Sequence, residues 1–454
     1  MQTTSQHGMW SSRLAFILAA SGSAVGLGNI WRFPYLTSDN GGGAFVLLYL
    51  GCIALCGLPV LIAEIMMGRE GRKSPVNAII TLAKESNRSR AWAGIGWIGM
   101  VAGVLILSFY SVVAGWTLHY AFLYAAQLFG GAGIEDPAAT FNELLGNVTE
   151  LTFWHAVFMV LTVGVVALGV EKGLERAVKF LMPALFIMLL ILAGYGATTG
   201  HLGEAAAFLF QPDFSKINAN VVLSAMGQAF FSLSLGMCAM MTYGAYLPQN
   251  VSIPRVAVSV ALADTGVALL AGLAIFPIVI QYLGAPTGGG PGLIFTSLPS
   301  AFNQMGAIFG LIFFALLSVA AWTSSISLLE PATAFIVEST KMSRKAAATS
   351  MAIFTWFVGL ASVLSLNHWS HVRILGFAIM DFIELLANDF LLPLGGLLIA
   401  IFTGWMLNDR VVRSQVEGEP ALVITVWKWL LRVVAPLLIA IVMGHGIMTK
   451  LGWA

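Results

Sequence analysis

Seven ionisable residues fall inside stretches apolar enough to lie in a membrane: Arg32, Glu64, Asp264, Glu330, Asp381, Glu384 and Asp389. A charge at that depth costs at least about 2.5 kcal/mol, so such groups face a cavity or each other and mark routes for ions and polar solutes. Near them the chain offers two further sets of donors. The run Ser21-Gly22-Ser23-Ala24-Val25-Gly26-Leu27-Gly28-Asn29 carries three glycines in seven residues, each weakening a helix by roughly 1 kcal/mol relative to alanine. A helix broken there frees N–H and C=O groups that lipid cannot satisfy, so they must meet protein or a bound solute. Further on, Ala320, Thr323 and Ser324 stand at i, i+3 and i+4, placing a carbonyl and two hydroxyls on one helix face. Hydroxyls on a membrane helix can serve packing alone. Opposite freed carbonyls they form a hard-oxygen set without a carboxylate, which suits sodium better than calcium or magnesium.

Arg32 follows the glycine break within Trp31-Arg32-Phe33-Pro34, and Asp381 opens a late apolar segment. Two readings stand for them: a pair that closes a vestibule, or two residues that each sit at the membrane interface. Glu64 and Glu330 are expected to hold backbone groups freed by broken helices, and Glu384 and Asp389 receive no role. His119, His155 and His201 lie near segment ends without partners. No nucleophile–base pair, metal motif or nucleotide loop stands at membrane depth, which argues against an enzyme.

The elements that position these groups must be membrane helices. With 454 residues, 58% of them apolar and only 9% charged, and a mean hydropathy of +0.88, the chain is too apolar for a soluble globular protein. Apolar runs of about 20 residues or more fall near 14–37, 43–68, 92–127, 152–170, 177–199, 220–247, 255–283, 306–337, 345–366, 374–407 and 427–449, about eleven spans. The fold class is all-α and polytopic, a single transmembrane domain over 1–454. Lys and Arg concentrate on the N-terminal side of the membrane, from Arg13 and the Arg69-to-Arg90 cluster to Arg432, against Lys216, Arg373 and Lys450 on the other. The positive-inside rule then puts the N-terminus in the cytoplasm and, for an odd span count, the C-terminus outside the inner (plasma) membrane. The first apolar run lacks a cleavage site and remains part of the protein. No basic patch suited to nucleic acid stands outside the loops on that side.

A second span is interrupted, at Gln228-Ala229-Phe230-Phe231-Ser232-Leu233-Ser234-Leu235-Gly236-Met237. If ten spans form two five-span repeats, about 10–200 and 220–408, with an extra helix near 427–449, the interrupted spans 1 and 6 correspond. That is an inverted repeat with its site where the broken helices meet. Pro183 is expected to kink span 5 or loosen its cytoplasmic end. Gly284 to Gly292 reads as an exterior loop, and Cys52, Cys56 and Cys238 as buried packing.

Gly22 to Pro34 with Asn40-Gly41-Gly42-Gly43-Ala44-Phe45, the stretch Gln228 to Gly236, and Thr323-Ser324-Ser325 resemble signatures of the sodium-coupled neurotransmitter and amino-acid symporters. This is the family of the leucine-transporter-type fold, itself a standard case of discontinuous helices around a midplane site. The resemblance implies two sodium ions. The first would meet the Ala24 carbonyl, Asn29, Ser232, Asp264 and the substrate carboxylate; the second, the carbonyls of Gly22, Val25 and Ala320 with the Thr323 and Ser324 hydroxyls. It also implies that the substrate carboxylate meets the Leu27 and Gly28 N–H groups and the Tyr110 hydroxyl, and its amine the carbonyls of Ala24, Phe231, Ser232 and Ser234. Ile106, Tyr110, Phe231, Met237, Ser324 and Leu328 would line an apolar pocket with Phe231 as lid. Trp10, Tyr246 and Glu338 resemble the cytoplasmic gate, with His7 where that gate carries a basic residue.

Departures from the family pattern narrow the expectation. Gly26 stands where amine transporters carry an Asp, which favours a substrate that brings its own carboxylate. Met237 replaces an aromatic residue common in relatives, and its flexible side chain suits several shapes. Asp264 stands in place of Asn, and Ala268 in place of the Ser of chloride-dependent members, which implies chloride-independent transport. The implied function is sodium-coupled symport of aliphatic and aromatic L-amino acids by a monomer or weak oligomer in the lipid bilayer. A non-transporting amino-acid receptor of the same fold is the alternative.

Overall fold

The computed structural model describes residues 8–284 and 292–450. His7 and most of the expected 284–292 loop lie outside the described residues. Helices dominate, and we number the principal ones α1 (Arg13–Ala24), α2 (Gly28–Asp39), α3 (Gly43–Gly71), α4 (Arg90–Leu128), α5 (Val148–Val166), α6 (Val170–Thr198), α7 (Ala219–Ser232), α8 (Ala239–Ala245), α9 (Ile253–Leu283), α10 (Ala307–Ser339), α11 (Arg344–Ser365), α12 (Ile379–Met406) and α13 (Ala421–Gly446). Among the described residues, nine continuous helices are long and apolar enough to cross a membrane, and α1 with α2, bent by 51° at their break, make a tenth. The run expected as an interrupted sixth span is two helices, α7 of 14 residues and α8 of 7. Neither crosses alone, so the expected eleven is reached only if the pair counts as one crossing. Among the described residues the β structure is a two-stranded ribbon, Arg373–Ile374 against Phe377–Ala378, ahead of α12, and an isolated bridge between Gly42 and Pro212.

Both interruptions have local causes. Ser12 starts α1 as an N-cap, its hydroxyl accepting from Ala15 N at 3.1 Å. Val25 then leaves helical geometry (φ −73°, ψ 102°), just ahead of Gly26 and Gly28. At the second interruption Ser234, Gly236 and Cys238 all take left-handed φ values of 54°, 78° and 61°. For the two non-glycines this conformation costs of order 1–3 kcal/mol each. Glu64 offsets part of that strain, because its Oε1 accepts from the freed Gly236 N at 2.7 Å. Glu330, contrary to expectation, is held by side chains rather than by freed backbone among the described residues: it accepts the Tyr246 hydroxyl at 2.7 Å and pairs with Arg344. Pro183 is carried inside α6, whose start, Val170–Glu175, is π-helical.

Small residues bring backbones together where the interruptions pack. A Cβ on Gly68 of α3 would stand 1.8 Å from the Met241 carbonyl oxygen of α8, and one on Gly244 would stand 2.4 Å from the Ile65 oxygen. Helices in membranes gain most from such close backbone approach. Gly236 in turn sits against α12, where its Cβ would meet the Leu392 oxygen at 2.3 Å. Gly68→Ala must therefore push α8 away and should lower the detergent melting temperature, by overpacking of about 1–3 kcal/mol. Gly51→Ala, with nothing within 4 Å of its Cβ, should leave it unchanged or slightly raised, and equal melting of the two variants would contradict this packing.

Candidate functional site

The first break is held by side chains from the second break and from α10. The Ser23 carbonyl accepts the Ser234 hydroxyl at 2.9 Å and the Ser324 hydroxyl at 3.2 Å. Ser23 Oγ donates to Ser327 Oγ at 2.7 Å, and Ser327 Oγ donates to the Ser324 carbonyl at 2.7 Å. Past the break, Leu27 N reaches the Tyr110 hydroxyl at 3.4 Å, Gly26 N donates to Asn29 Oδ1 at 3.2 Å, and Gln228 Nε2 donates to the Gly28 carbonyl at 2.7 Å.

Two cavities flank this junction and share Phe231 in their walls. The inner one, about 20 Å³, is lined by Ser23, Ala24, Gly26, Gly28, Ile106, Tyr110, Phe231, Ser232, Ser234, Met237, Ser324 and Leu328. Of the residues expected at a substrate pocket only Leu27 is elsewhere, and Ser23 is the one addition. A Cβ at residue 26 would lie 2.3 Å from Ser324 Oγ and 3.1 Å from the Tyr110 hydroxyl, so glycine there is a requirement of space. The outer cavity, about 260 Å³, is bounded by Leu27, Arg32, Tyr110, Phe231, Asp381 and Glu384 among others. Phe231 and Tyr110 border both.

Beside the inner cavity, Asp264 of α9 is fully buried. Its Oδ1 accepts from Asn29 Nδ2 at 2.7 Å and its Oδ2 from the Tyr49 hydroxyl at 3.2 Å, while Tyr49 also lies 3.2 Å from Ser232 Oγ. Asn29, Ser232 and Asp264 thus converge in one oxygen-rich cluster, with Tyr49 of α3 as a fourth member that the sequence reading missed. On α10, Thr323 Oγ1 donates to the Ala320 carbonyl at 3.0 Å. A Cβ on Gly22 would lie 3.5 Å from Thr323 Cβ, which places the end of α1 against that residue.

The two ends of the passage differ. On the N-terminal side Trp10 is 2% exposed. Its backbone N donates to the Tyr246 carbonyl and its Nε1 to the Tyr243 carbonyl, both at 3.0 Å, and its ring meets Tyr243 edge-on at 5.3 Å. Ser11 is tied to Glu175 through backbone and hydroxyl. Glu338 accepts from Ser74 and Asn77. On the other side Arg32 lies 5.0 Å above the Phe231 ring. It shares with Asp381, Glu384 and Asp389 a further cavity of about 400 Å³, and among the described residues no ion pair joins it to Asp381. The structure therefore shows the expected pair facing one vestibule without closing it. Two histidines expected to lack partners have them: His119 Nδ1 lies 3.1 Å from Glu150 and His201 Nδ1 lies 3.3 Å from Glu204. No group of three or more His, Cys, Asp or Glu suited to a metal occurs among the described residues.

The family model described as "Sodium:neurotransmitter symporter family" matches residues 7–128 and 138–451. An uncharacterized sodium-dependent transporter of Bacillus subtilis, YhdH, is 38% identical over 95% of this chain and 96% of its own length. The human sodium- and chloride-dependent GABA transporter 2 is 26% identical over 66% of this chain and 56% of its own. Among solved structures, the crystal structure of MhsT in complex with L-phenylalanine superposes with a TM-score of 0.89 at 43% identity, covering 98% of this chain and 99% of that one.

Trp10 is the test of the shut end. Trp10→Ala removes a buried ring, a change that costs about 3–5 kcal/mol, together with its Nε1 bond. Hydrogen exchange across Ser11–Ala24 should accelerate at least tenfold, and unchanged protection there would show that Trp10 does not hold that side.

Proposed function

The chain belongs to the sodium:neurotransmitter symporter family, and from that premise we propose that it carries hydrophobic L-amino acids by symport with sodium. It is a sodium-coupled, multi-pass membrane transporter rather than an enzyme. The observation that carries the proposed substrate class is the space around Gly26. With no side chain at that position, the inner cavity holds no acid for a substrate amine. The Leu27 and Gly28 N–H groups at the start of α2 and the Tyr110 hydroxyl offer donors to a carboxylate, where the helix dipole favours negative charge. Carbonyls of Ala24, Phe231, Ser232 and Ser234 take the amine. Ile106, Phe231, Met237 and Leu328 face the side chain, and the adaptable Met237 admits aliphatic and aromatic shapes alike. The L-phenylalanine bound by MhsT is consistent with this reading.

Two sodium ions are proposed. Ala24, Asn29, Ser232 and Asp264 hold the first together with the substrate carboxylate. Gly22, Val25, Ala320, Thr323 and Ser324 hold the second, between the end of α1 and α10. The convergence of Asn29, Ser232 and Asp264 and the 3.0 Å between Thr323 Oγ1 and the Ala320 oxygen support these sets. Because the carboxylate is itself a ligand of the first ion, each raises the affinity of the other by the same factor. Asp264 keeps a fixed negative charge beside that ion, so no chloride is needed. Alternating access exchanges the shut Trp10 side, with Tyr246 and Glu338, for closure at Arg32, Asp381 and Phe231. By the positive-inside distribution the Trp10 side faces the cytoplasm and the C-terminus lies outside the plasma membrane.

Proteoliposomes loaded against labelled leucine, tryptophan and dopamine, with sodium, proton and chloride gradients imposed in turn, test the proposal. Leucine and tryptophan should accumulate under a sodium gradient with or without chloride, and dopamine should not. Accumulated dopamine would overturn the substrate class, and a chloride requirement would overturn the role of Asp264. The double variant Thr323→Ala, Ser324→Ala should raise the sodium concentration for half-maximal uptake at least about tenfold, the loss of roughly 1.4 kcal/mol. Undiminished sodium dependence would remove the second ion from α10.

A further inference from the structure

On the outer wall of the bundle, away from both cavities at the break, α4, α10 and α11 pack together and leave a groove of about 390 Å³. Trp97, Met100, Val101, Phe335, Met351 and Phe354 make most of its surface, and no charged, hydroxyl or amide side chain lines it. The Trp97 ring stands edge-on to Phe335 at 4.9 Å and 71°, a fixed aromatic wall rather than a loose seam. Trp97, Val101 and Phe354 remain 49%, 48% and 55% exposed. All three helices are apolar enough to cross the membrane, so these faces look into hydrocarbon, where no water-soluble partner reaches. The volume lies within the range of about 300–1,000 Å³ usual for bound small molecules.

The end of the groove has its own chemistry. The wall residues of α4 begin seven positions after Arg90, those of α10 end five before Lys341, and those of α11 begin six after Lys345. Arg90, Lys341 and Lys345 are all exposed, and they gather at the ends of the same three helices. The acid of that neighbourhood, Glu338, is engaged by Ser74 and Asn77. An apolar slot that opens to lipid and ends in cations at the membrane surface is complementary to one kind of molecule.

We propose that this groove holds an acyl chain of an anionic phospholipid, with its headgroup phosphate met by Arg90, Lys341 and Lys345. The groove backs onto the inner cavity through a single layer of helix. Leu105 in the groove adjoins Ile106 in the cavity, and Ala332 in the groove lies one turn beyond Leu328 in the cavity. A bound chain therefore props the rear of α4 and α10 where those helices face the substrate pocket.

The test is read without transport, so it stands or falls separately from the symport proposal. The purified full-length protein is reconstituted into phosphatidylcholine vesicles with or without phosphatidylglycerol. Each preparation carries a trace of phosphatidylglycerol or phosphatidylcholine bearing a photoreactive diazirine on one acyl chain, and labelled peptides are identified by mass spectrometry. Label should concentrate severalfold on peptides covering 97–105 and 351–358 over the lipid-facing α13, and more from the phosphatidylglycerol probe. Val101→Trp and Met351→Trp, which fill the slot from different helices, should each cut that label severalfold, and whichever of them elutes as folded protein decides the point. The triple variant Arg90→Gln, Lys341→Gln, Lys345→Gln should keep the phosphatidylcholine label and lose the preference for phosphatidylglycerol. Even labelling of all lipid-facing helices, label unmoved by a folded groove-filling variant, or equal labelling by the two probes would overturn the proposal.

Discussion

A hydrogen bond from a side chain to an interrupted helix is the interaction on which the rest of this structure depends. Within a bilayer an unpaired peptide group finds no water, and leaving one buried costs about 1–3 kcal/mol or more. The chain interrupts two helices and then satisfies each from the other or from its neighbours. Ser234 and Ser324 donate to the Ser23 carbonyl, Gln228 donates to the Gly28 carbonyl, and Glu64 accepts from Gly236 N. These bonds also bring the two breaks together. Packing, cavity and cluster all follow from where those partners had to be.

The same groups that satisfy the break are the ones a solute would meet. Hydroxyls on Ser234 and Ser324 are exchangeable partners of the Ser23 carbonyl, because a cation or an ammonium can replace a hydroxyl proton at a carbonyl oxygen with little rearrangement of the backbone. The Tyr49, Asn29, Ser232 and Asp264 cluster is different. Its carboxylate is fully buried among neutral donors, an arrangement that is strongly unfavourable for an isolated charge and favourable for one joined by a cation. That asymmetry gives a physical reason for the solute and the ion to arrive together.

Much of the site was legible because its signals are local. The glycines at 22, 26 and 28, the hydroxyls at 323 and 324, and the Ser-Leu-Ser-Leu-Gly run each announce themselves within a few residues, and the resemblance assigned most of the inner cavity's lining. What was not legible depends on contacts between distant parts of the chain. Tyr49 looks like any aromatic residue in an apolar span until Ser232, 183 positions away, comes to face it. Glu330 was misread because an acid at membrane depth was assumed to serve backbone, whereas Arg344 and Tyr246 claim it from loops and helices that no spacing rule connects. The second interruption was legible in the same local way: the run Gln228 to Met237 does divide one apolar stretch into two helices of unequal length. His119 gained a carboxylate partner from the first turn of α5, and His201 from Glu204 in the first turn of the short helix it precedes.

The close seam between α3 and α8 bears on how the molecule can move. At Gly68 and Gly244 the two helices touch backbone to backbone, with no side chain between them to repack. Such a contact cannot slide, because a shift of a fraction of an ångström drives carbonyl oxygens into the opposite chain. Whatever torque reaches α8 during a change of state is passed to α3 as if the two were one lever. Tyr49 rides on the far arm of that lever, so displacement at one broken helix reaches the buried carboxylate of Asp264 without any need for a relay of side chains.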